Sequence, residues 1–285
     1  MGKKRLDSRS VGLDVAAELV KWLTGAENLH YGLWTGLEVN ASNLGAAQAA
    51  YTAKLFAFLP DGPLSILDIG GGAGETAKEL IALGHRVEIV VPSRCLADRC
   101  RNNAPQAKVH EMTFEDFEAA ERFNLCLFSE SFQYIPLETA LDKALKVTQP
   151  GGHVLIADCF RSEGFAVAGE VRPPGGGHPI AKFRKAVAAL PVEELASEDI
   201  TEAVAPSIVL EQELFHVFGK AVDRIDSELL IKRPGTRWAT AHLLKLILGR
   251  RRLARLDARL RGNFRTSEAF IRNNRYMITL LRKLP

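Results

Sequence analysis

The 285-residue sequence lacks any uninterrupted apolar run that approaches the ~18 residues a membrane-spanning helix requires. Its first seven residues are basic and lack the apolar core of a secretory signal peptide. The four cysteines show neither Cys-x-x-Cys nor zinc-ligand spacing, and no His/Asp/Glu cluster supports a metal site. They are Cys95, Cys100, Cys126 and Cys159. We therefore expect a cytoplasmic protein with reduced, buried thiols and no bound metal.

The most informative segment is rich in glycine. Residues 65–76 read SILDIGGGAGET, a short apolar run with one acid, Asp68, followed by the glycines. The run is typical of a buried parallel strand, and residues 75–80 are typical of a helix. A strand that turns directly into a helix needs glycine where φ is positive or where a ligand lies against the backbone. The helix N-terminus also presents unpaired N–H groups, so the segment predicts a nucleotide-type cofactor loop.

The spacing of the glycines narrows the choice of cofactor. A dinucleotide loop needs glycine at its first, third and sixth positions, but the sixth position counted from Gly70 is Glu75, whose carboxylate would repel pyrophosphate. No Gly-Lys-Ser/Thr follows, which excludes a P-loop. Asp68 can instead hold the ammonium group of a nucleoside that carries an amino acid. A glycine-rich bend without a cofactor is the structural alternative.

At these residues the chain resembles the class I S-adenosylmethionine (SAM) dependent methyltransferases, whose first motif is a strand ending in Leu-Asp-x-Gly-x-Gly-x-Gly. The similarity extends over roughly residues 28–205, where QPGGHVLIA at 149–157 resembles the family's turn into strand five. The resemblance implies SAM as cofactor and an α/β fold. That fold is a Rossmann-like, seven-stranded, mostly parallel sheet flanked by helices, with N-terminal cap helices and a helical lid inserted before the last strand.

The resemblance also implies a division of the chain. Its parts are cap helices over 1–60, a SAM-binding core over 61–205, a helical lid over 206–265 and a final strand returning to the core over 266–285. The predicted long helices of the lid cover 207–231 and 237–261. The sixth strand and the segment after it are expected within 194–204, and the last strand within 270–283.

Three positions depart from the family pattern. The acid that commonly ends strand two is replaced by Val91, an Asp after strand three by Thr113, and the Asp before strand four by Asn124. Neighbouring side chains that can replace the lost groups are Glu88, Ser93, Glu115 and Asp116. We expect altered or weaker SAM binding, with these cofactor-binding residues: Asp68, Gly70, Gly71, Gly72, Gly74, Ser93, Thr113, Phe114, Ser129 and Tyr31.

The reacting centre is expected where strand four ends, at the sequence SESFQY over 129–134. This stretch weakly resembles the Glu-Ser-x-x-Tyr of sterol and terpenoid C-methyltransferases. Glu130 can act as a general base or pair with a cationic intermediate, and Tyr134 and Phe132 can stack on a substrate or on the sulfonium. The structural alternatives are that Glu130 caps the next turn and that Phe132 belongs to the core.

Two further segments are candidates for the active cleft. Tyr31 and Trp34, in HYGLW at 30–34, can cover SAM or can simply anchor the N-terminal helix to the core. His178 lies in a Pro/Gly-rich loop over 171–179 that can clamp a substrate, and His30 is also expected to face the cleft. The predicted catalytic residues are Glu130, Tyr134, Tyr31 and His178.

Charge is distributed unevenly along the chain. Residues 232–285 carry a net charge of +13, against −10 for residues 1–231. The basic helix over 250–261 has three interpretations: a solvated lid helix docked on the acidic core, a site for an anionic substrate or a peripheral membrane surface, and an RNA site. Nucleic acid is not expected, since the Asn-Pro-Pro-Tyr/Phe of base-methylating enzymes is absent after strand four.

These observations favour an enzyme of secondary or lipid metabolism that transfers a methyl group in line from SAM to a small organic molecule, apolar or isoprenoid. One alternative is an enzyme that cyclises SAM or transfers another of its alkyl groups. Another is a non-catalytic SAM-binding partner subunit. A homo-oligomer is compatible with all three hypotheses.

Overall fold

The computed structural model describes residues 8–119, 123–166 and 173–285. Within these ranges seven strands form one sheet in the order β3-β2-β1-β4-β5-β7-β6. Their bounds are β1 Ser65–Ile69, β2 Arg86–Val90, β3 Lys108–His110, β4 Phe123–Ser129, β5 Thr148–Arg161, β6 Val192–Asp199 and β7 Asn274–Lys283. Strands β1 to β5 pair in parallel, and β7 runs antiparallel to both β5 and β6.

Helices precede and connect the strands. In chain order they are α1 Ser8–Thr24, α2 Leu44–Phe56, α3 Glu75–Ala82, α4 Arg94–Asn103, α5 Leu137–Val147, α6 Ile180–Ala188, α7 Thr201–Val204, α8 Pro206–Lys232, α9 Pro234–Arg261 and α10 Ser267–Asn273. Helices α1 and α2 are the expected N-terminal caps, and α8 and α9 are the expected insertion between β6 and β7. The α/β fold predicted from the sequence is confirmed.

The sheet is buried on both faces because successive side chains of a strand point to opposite sides. Ile66 packs in a cluster with Leu80 of α3 and Leu96 of α4. Leu67 packs on the other face, in a cluster with Leu141 of α5 and Phe183 of α6. Because β1 to β5 run in parallel, their carboxyl ends lie along one edge of the sheet, and this is where ligands bind in open α/β sheets.

Several predicted boundaries were wrong. Strand six begins at Val192, two residues before the predicted segment 194–204, and residues 201–204 at the end of that segment form the short helix α7. Residues 270–273 belong to α10, so the last strand begins at Asn274. Three of the four cysteines are buried as expected, but Cys95 is exposed because it lies on the outer face of α4.

Two expectations from the sequence remain predictions. The division of the chain into four parts stays a prediction. Of the predicted clamp loop over 171–179, residues 171 and 172 lie outside the described residues.

No helix in the described part of the chain is both long enough and apolar enough to cross a bilayer.

Candidate active site

A cavity of about 460 Å³ lies at the carboxyl edge of the sheet. The glycine-rich turn after β1 forms its floor, and the ends of β2 and β4 form two of its walls. Helix α1 contributes Ser10 and Leu13, and the segment before α2 contributes residues 27–30. Helix α1 and the segment that follows it thus cover the cavity.

The turn places backbone rather than side chains against the cavity. At Gly71 a Cβ atom would lie 2.5 Å from Oδ2 of Asp68, so only glycine lets the chain pass this carboxylate. Gly74 has φ of 89° and precedes the first residue of α3, and a Cβ there would lie 2.9 Å from the Cα of Cys100. The two glycines therefore serve different purposes: Gly71 accommodates Asp68, and Gly74 packs the turn on α4.

Asp68 is the most unusual group of the cavity floor. Its side chain is 1% exposed, and Oδ2 has no hydrogen-bond partner in the described structure. Burial raises the pKa of Asp68 to about 7. A buried carboxylate without a partner is costly unless a cation or donor binds it. This orphaned oxygen fits the ammonium group that a SAM site must hold.

Two other acids of the cavity already have partners. Glu27 lies 2.6 Å from Nζ of Lys21 and 3.0 Å from Nη1 of Arg99. Glu75 accepts a hydrogen bond from the backbone N–H of Glu27 at 3.2 Å and pairs with Nζ of Lys78 at 3.0 Å. Neither acid competes with Asp68 for a cationic ligand.

Glu130, directly after β4, lines the same cavity. Its φ of 56° is the only positive value for a non-glycine residue among the described positions. The carboxylate accepts hydrogen bonds from the backbone N–H of Tyr31 at 2.7 Å and from the hydroxyl of Tyr276 at 2.9 Å. Burial raises the pKa of Glu130 to about 8, while these donors and nearby Asp158 act more weakly. Backbone strain and a shifted pKa at one residue are typical of functional sites.

Comparison with known proteins agrees with this geometry. Residues 66–152 match the family model described as a methyltransferase domain. This part of the chain therefore contains a methyltransferase domain. Among curated proteins, no sequence matches the chain.

Solved structures share the fold of this chain over nearly its whole length. The (4+2)-cyclase SpnF is 18% identical, with 97% of this chain and 96% of that chain covered and a TM-score of 0.67. Cyclopropane synthase MmaA2 from Mycobacterium tuberculosis is 16% identical, with 99% and 100% covered and a TM-score of 0.67. Geranyl diphosphate C-methyltransferase from Streptomyces coelicolor A3(2) is 13% identical, with 98% and 99% covered and a TM-score of 0.62. At these identities the likeness establishes the fold alone.

Most of the residues predicted for the methyltransferase site line the cavity. They are Asp68, Gly70, Gly71, Gly72, Ser93, Thr113, Phe114, Ser129, Glu130 and Tyr134. Ser93 also caps α4, since its side chain accepts a hydrogen bond from the N–H of Leu96 at 3.4 Å. The hydroxyl of Thr113 donates to Asp116 at 2.7 Å.

Three predicted residues do not line it: Gly74, Tyr31 and His178. The Tyr31 ring packs against Phe270 and Tyr276, so its backbone N–H, and not its phenol, reaches Glu130. The imidazole of His178 donates to the carbonyl of Ile135 at 2.9 Å, which ties its loop to the segment after β4.

Trp34 and Phe132 both have the structural role that was stated as the alternative to a role in the site. Trp34 is buried, and its indole N–H donates to the hydroxyl of Ser207 at 2.8 Å, so it anchors the N-terminal segment to α8. Phe132 is fully buried and packs edge-on against Phe128. Neither ring lines the cavity.

The position at the end of β2 is apolar, as the sequence indicated. Val91 lines the cavity and is buried. Of the suggested substitutes for the ribose acid, Ser93 and Glu115 line the cavity. Glu88 does not, because its carboxylate pairs with Nε2 of His110 at 2.7 Å.

Sequence reasoning missed a chain of hydroxyl groups behind Glu130. Tyr51 of α2 lies 2.7 Å from the hydroxyl of Tyr276, and 3.2 Å from the hydroxyl of Ser129. His30 lines the cavity as expected and stacks on Tyr51 at 4.5 Å between ring centroids. Burial lowers the pKa of His30 to about 4, so its ring is neutral at pH 7. The signal for these tyrosines was weak, since an aromatic residue in a predicted helix or strand is usually core.

Proposed function

We propose that this protein binds SAM in the cavity and transfers its methyl group to a small apolar molecule. The observation that carries the proposal is the unpartnered, buried Oδ2 of Asp68 beneath the glycine-rich turn. A carboxylate held in this way is stabilised when an ammonium group binds it. Glu27 and Glu75 are paired elsewhere, which leaves Asp68 as the available anion of the cavity floor.

The remaining contacts would come from the rest of the cavity wall. Backbone groups of residues 70–72 would face the amino-acid part of the ligand. Ser93 and Glu115 would serve the ribose in place of the acid missing at Val91, and Thr113 and Phe114 would flank the base. Ser93 is neutral, and Glu115 does not occupy the position of the missing acid. We therefore expect SAM to bind more weakly than it would with a carboxylate at position 91.

SAM, when bound, supplies an electrophilic methyl group on a positively charged sulfur. The protein must then align the acceptor, exclude water and manage one proton. Glu130 suits the last task because it is buried, lines the cavity and has a pKa near the physiological range. In its ionised form it can take a proton from the acceptor or offset positive charge that develops on an alkene carbon.

An apolar acceptor is favoured by the apolar side chains in the cavity lining. Leu13, Leu29 and Ile135 line the cavity, as does Tyr134. Two proteins that share the fold are named for their reactions. One methylates geranyl diphosphate, an isoprenoid, and the other forms a cyclopropane. Their likeness supports a small-molecule substrate for this chain and does not identify it. Among the described residues, no group of three or more His, Cys, Asp or Glu can hold a metal ion.

The proposal is tested by incubating the protein with methyl-labelled SAM and an extract separated into lipid, RNA and protein fractions. We expect label in an organic-soluble small molecule and S-adenosylhomocysteine as co-product, both formed at least about 100-fold more slowly by Glu130→Gln. Methylthioadenosine as co-product would show transfer of another part of SAM. Label only in RNA or protein would contradict a small-molecule acceptor, and absence of SAM binding in calorimetry would contradict an enzyme altogether.

A further inference from the structure

The end of α8 and most of α9 form a surface that the methyl-transfer site does not use. We define residues 229–256 as the basic tip. Arg237 holds its beginning through Asp226 of α8 at 2.7 Å, and Arg259, beyond its end, reaches Glu211 at 2.7 Å. In the described structure no hydrogen bond or ion pair joins residues 238–256 to α8. Most residues of 238–256 are exposed, so the segment is fixed at both ends and its middle faces solvent.

Large apolar side chains of the basic tip are exposed to an unusual degree. Leu246 is 83% exposed, Ile231 78%, Trp238 65% and Ile247 64%. Leu230, Leu243, Leu244 and Leu256 are exposed as well. Isolated exposed apolar residues are ordinary, but so many within one segment mark a surface that another apolar medium covers.

The charge of the same segment has a single sign. Between Glu228 and Asp257 the chain contains eight Lys or Arg residues and no Asp or Glu. Two of these cations, Lys232 and Arg237, pair with acids of α8. Arg250, Arg251 and Arg252 have no ion-pair partner within the described ranges.

A kink in α9 lies between the exposed apolar residues and the run of three arginines. Gly249 has φ of 72° and ψ of 159° inside α9, a conformation that suits glycine and interrupts the helix. The apolar part with Trp238 and Leu246 lies before the kink, and the three consecutive arginines follow directly after it. The apolar residues and the three arginines therefore lie on the two helical segments that meet at Gly249.

We propose that the basic tip binds the surface of an anionic lipid bilayer. Apolar side chains with a tryptophan and a surplus of Lys/Arg are the composition of interfacial helices, which insert their apolar groups at the headgroup boundary. Anionic lipids attract each nearby cation, and the uncompensated arginines match that charge. A second copy of the chain fits less well, because it would bring a second set of uncompensated cations against the first.

Vesicle co-sedimentation without SAM tests this proposal independently of the proposed reaction. The probes are vesicles of phosphatidylcholine alone and of phosphatidylcholine with phosphatidylglycerol. We expect binding to the anionic vesicles that weakens as NaCl is raised. The triple variant Arg250→Glu, Arg251→Glu, Arg252→Glu should bind about 100-fold more weakly.

The matched control is Lys182→Glu, Arg184→Glu, Lys185→Glu, which makes the same change of net charge on exposed positions of α6. It should retain most of the binding. Equal losses in the two triple variants would indicate unspecific attraction of the whole protein and would overturn the proposal. So would wild-type protein that binds neither kind of vesicle, or that binds RNA homopolymer but no vesicle.

Insertion of the apolar side chains has a separate readout. Brominated lipids should quench part of the tryptophan fluorescence of the wild type and of Trp22→Phe, but much less of Trp238→Phe. Trp22 is the matched control because it is 80% exposed on α1, outside the basic tip. If Leu246→Glu instead converts a dimer into a monomer and the wild type shows no quenching, the surface is a contact between copies and the proposal fails.

Discussion

The hydroxyl of Tyr276 donates a hydrogen bond of 2.9 Å to Glu130, although 146 positions separate the two residues in sequence. Antiparallel pairing of β7 with β5 puts Tyr276 opposite Cys159, and Glu130 follows β4 on the other side of β5. Tyr51 extends the chain of hydroxyl groups from Tyr276 to Ser129. The last strand of the sheet thus completes the environment of the carboxyl group that we assign to the reacting centre.

Removal of the Tyr276 hydroxyl should raise the pKa of Glu130. The hydroxyl stabilises the ionised carboxylate, so Tyr276→Phe leaves the charged form less favoured and moves the pKa above its value of about 8. Infrared difference spectra of the carboxyl band, taken against Glu130→Gln over a pH series, measure the midpoint. Tyr51→Phe is the control, because its hydroxyl does not touch Glu130, and its shift should be smaller. An unchanged midpoint in Tyr276→Phe would show that the hydrogen bond does not stabilise the charge.

Glu130→Gln should lower the rate of methyl transfer while leaving SAM affinity nearly unchanged. General acid–base groups contribute typically ~10²–10⁴-fold to the rate, so a loss of kcat in that range is expected. In the wild type, kcat/KM for the acceptor should rise with pH as Glu130 loses its proton, and this rise should be absent from the variant. A variant with normal kcat and the same pH profile would remove Glu130 from the chemistry.

The strands and the cofactor turn could be predicted from sequence because their signals are local. The motif at 67–74 contains its own strand, turn and acid, and Asp68 and Gly71 lie where that motif implies. Gly74 was assigned to the cofactor because it belongs to the same motif. Its actual constraint is the Cα of Cys100 in α4, a contact between elements that no spacing within the motif reveals.

The residues around Glu130 could not be predicted in the same way. Tyr51 and Tyr276 come from a cap helix and the last strand, and their meeting depends on the register of β7 against β5. His178 sat in a segment rich in Pro and Gly, which indicates a loop but not its direction. Its ring turns toward the carbonyl of Ile135 and does not line the cavity. Side-chain direction in loops is set by tertiary contacts, which a sequence pattern does not encode.

Gly74→Ala should destabilise the fold more than Gly84→Ala. Both glycines have φ near 90°, but a Cβ at Gly84 meets no atom within 4 Å, whereas one at Gly74 lies 2.9 Å from Cα of Cys100. Left-handed backbone costs about 1–2 kcal/mol for an L-residue, and the overlap at Gly74 adds to this cost. Urea unfolding of the two variants measures the difference. Equal losses would mean that the contact with α4 is not a constraint.

The stability of the ligand-free protein should fall as the pH rises from about 4 to 8. Burial raises the pKa values of Asp68 and Asp158 to about 7 and that of Glu130 to about 8. The folded state therefore holds protons that the unfolded chain has already released, so each group opposes folding once the pH exceeds its unfolded pKa. Asp68→Asn removes one such group, and its gain in Tm over the wild type should be larger at pH 8 than at pH 6. A gain independent of pH would contradict the raised pKa of Asp68.

Titration calorimetry of SAM with the wild type, Asp68→Asn and Glu88→Gln tests the central claim most directly. Glu88 is the matched control, an acid of β2 that pairs with His110 and does not line the cavity. Loss of a charged hydrogen-bond partner is worth about 1.5–3 kcal/mol, so Asp68→Asn should bind SAM about 10- to 150-fold more weakly, with Glu88→Gln unchanged. Equal affinity of Asp68→Asn and the wild type would show that Asp68 does not hold the ammonium group, and the assignment of this cavity to SAM would fail.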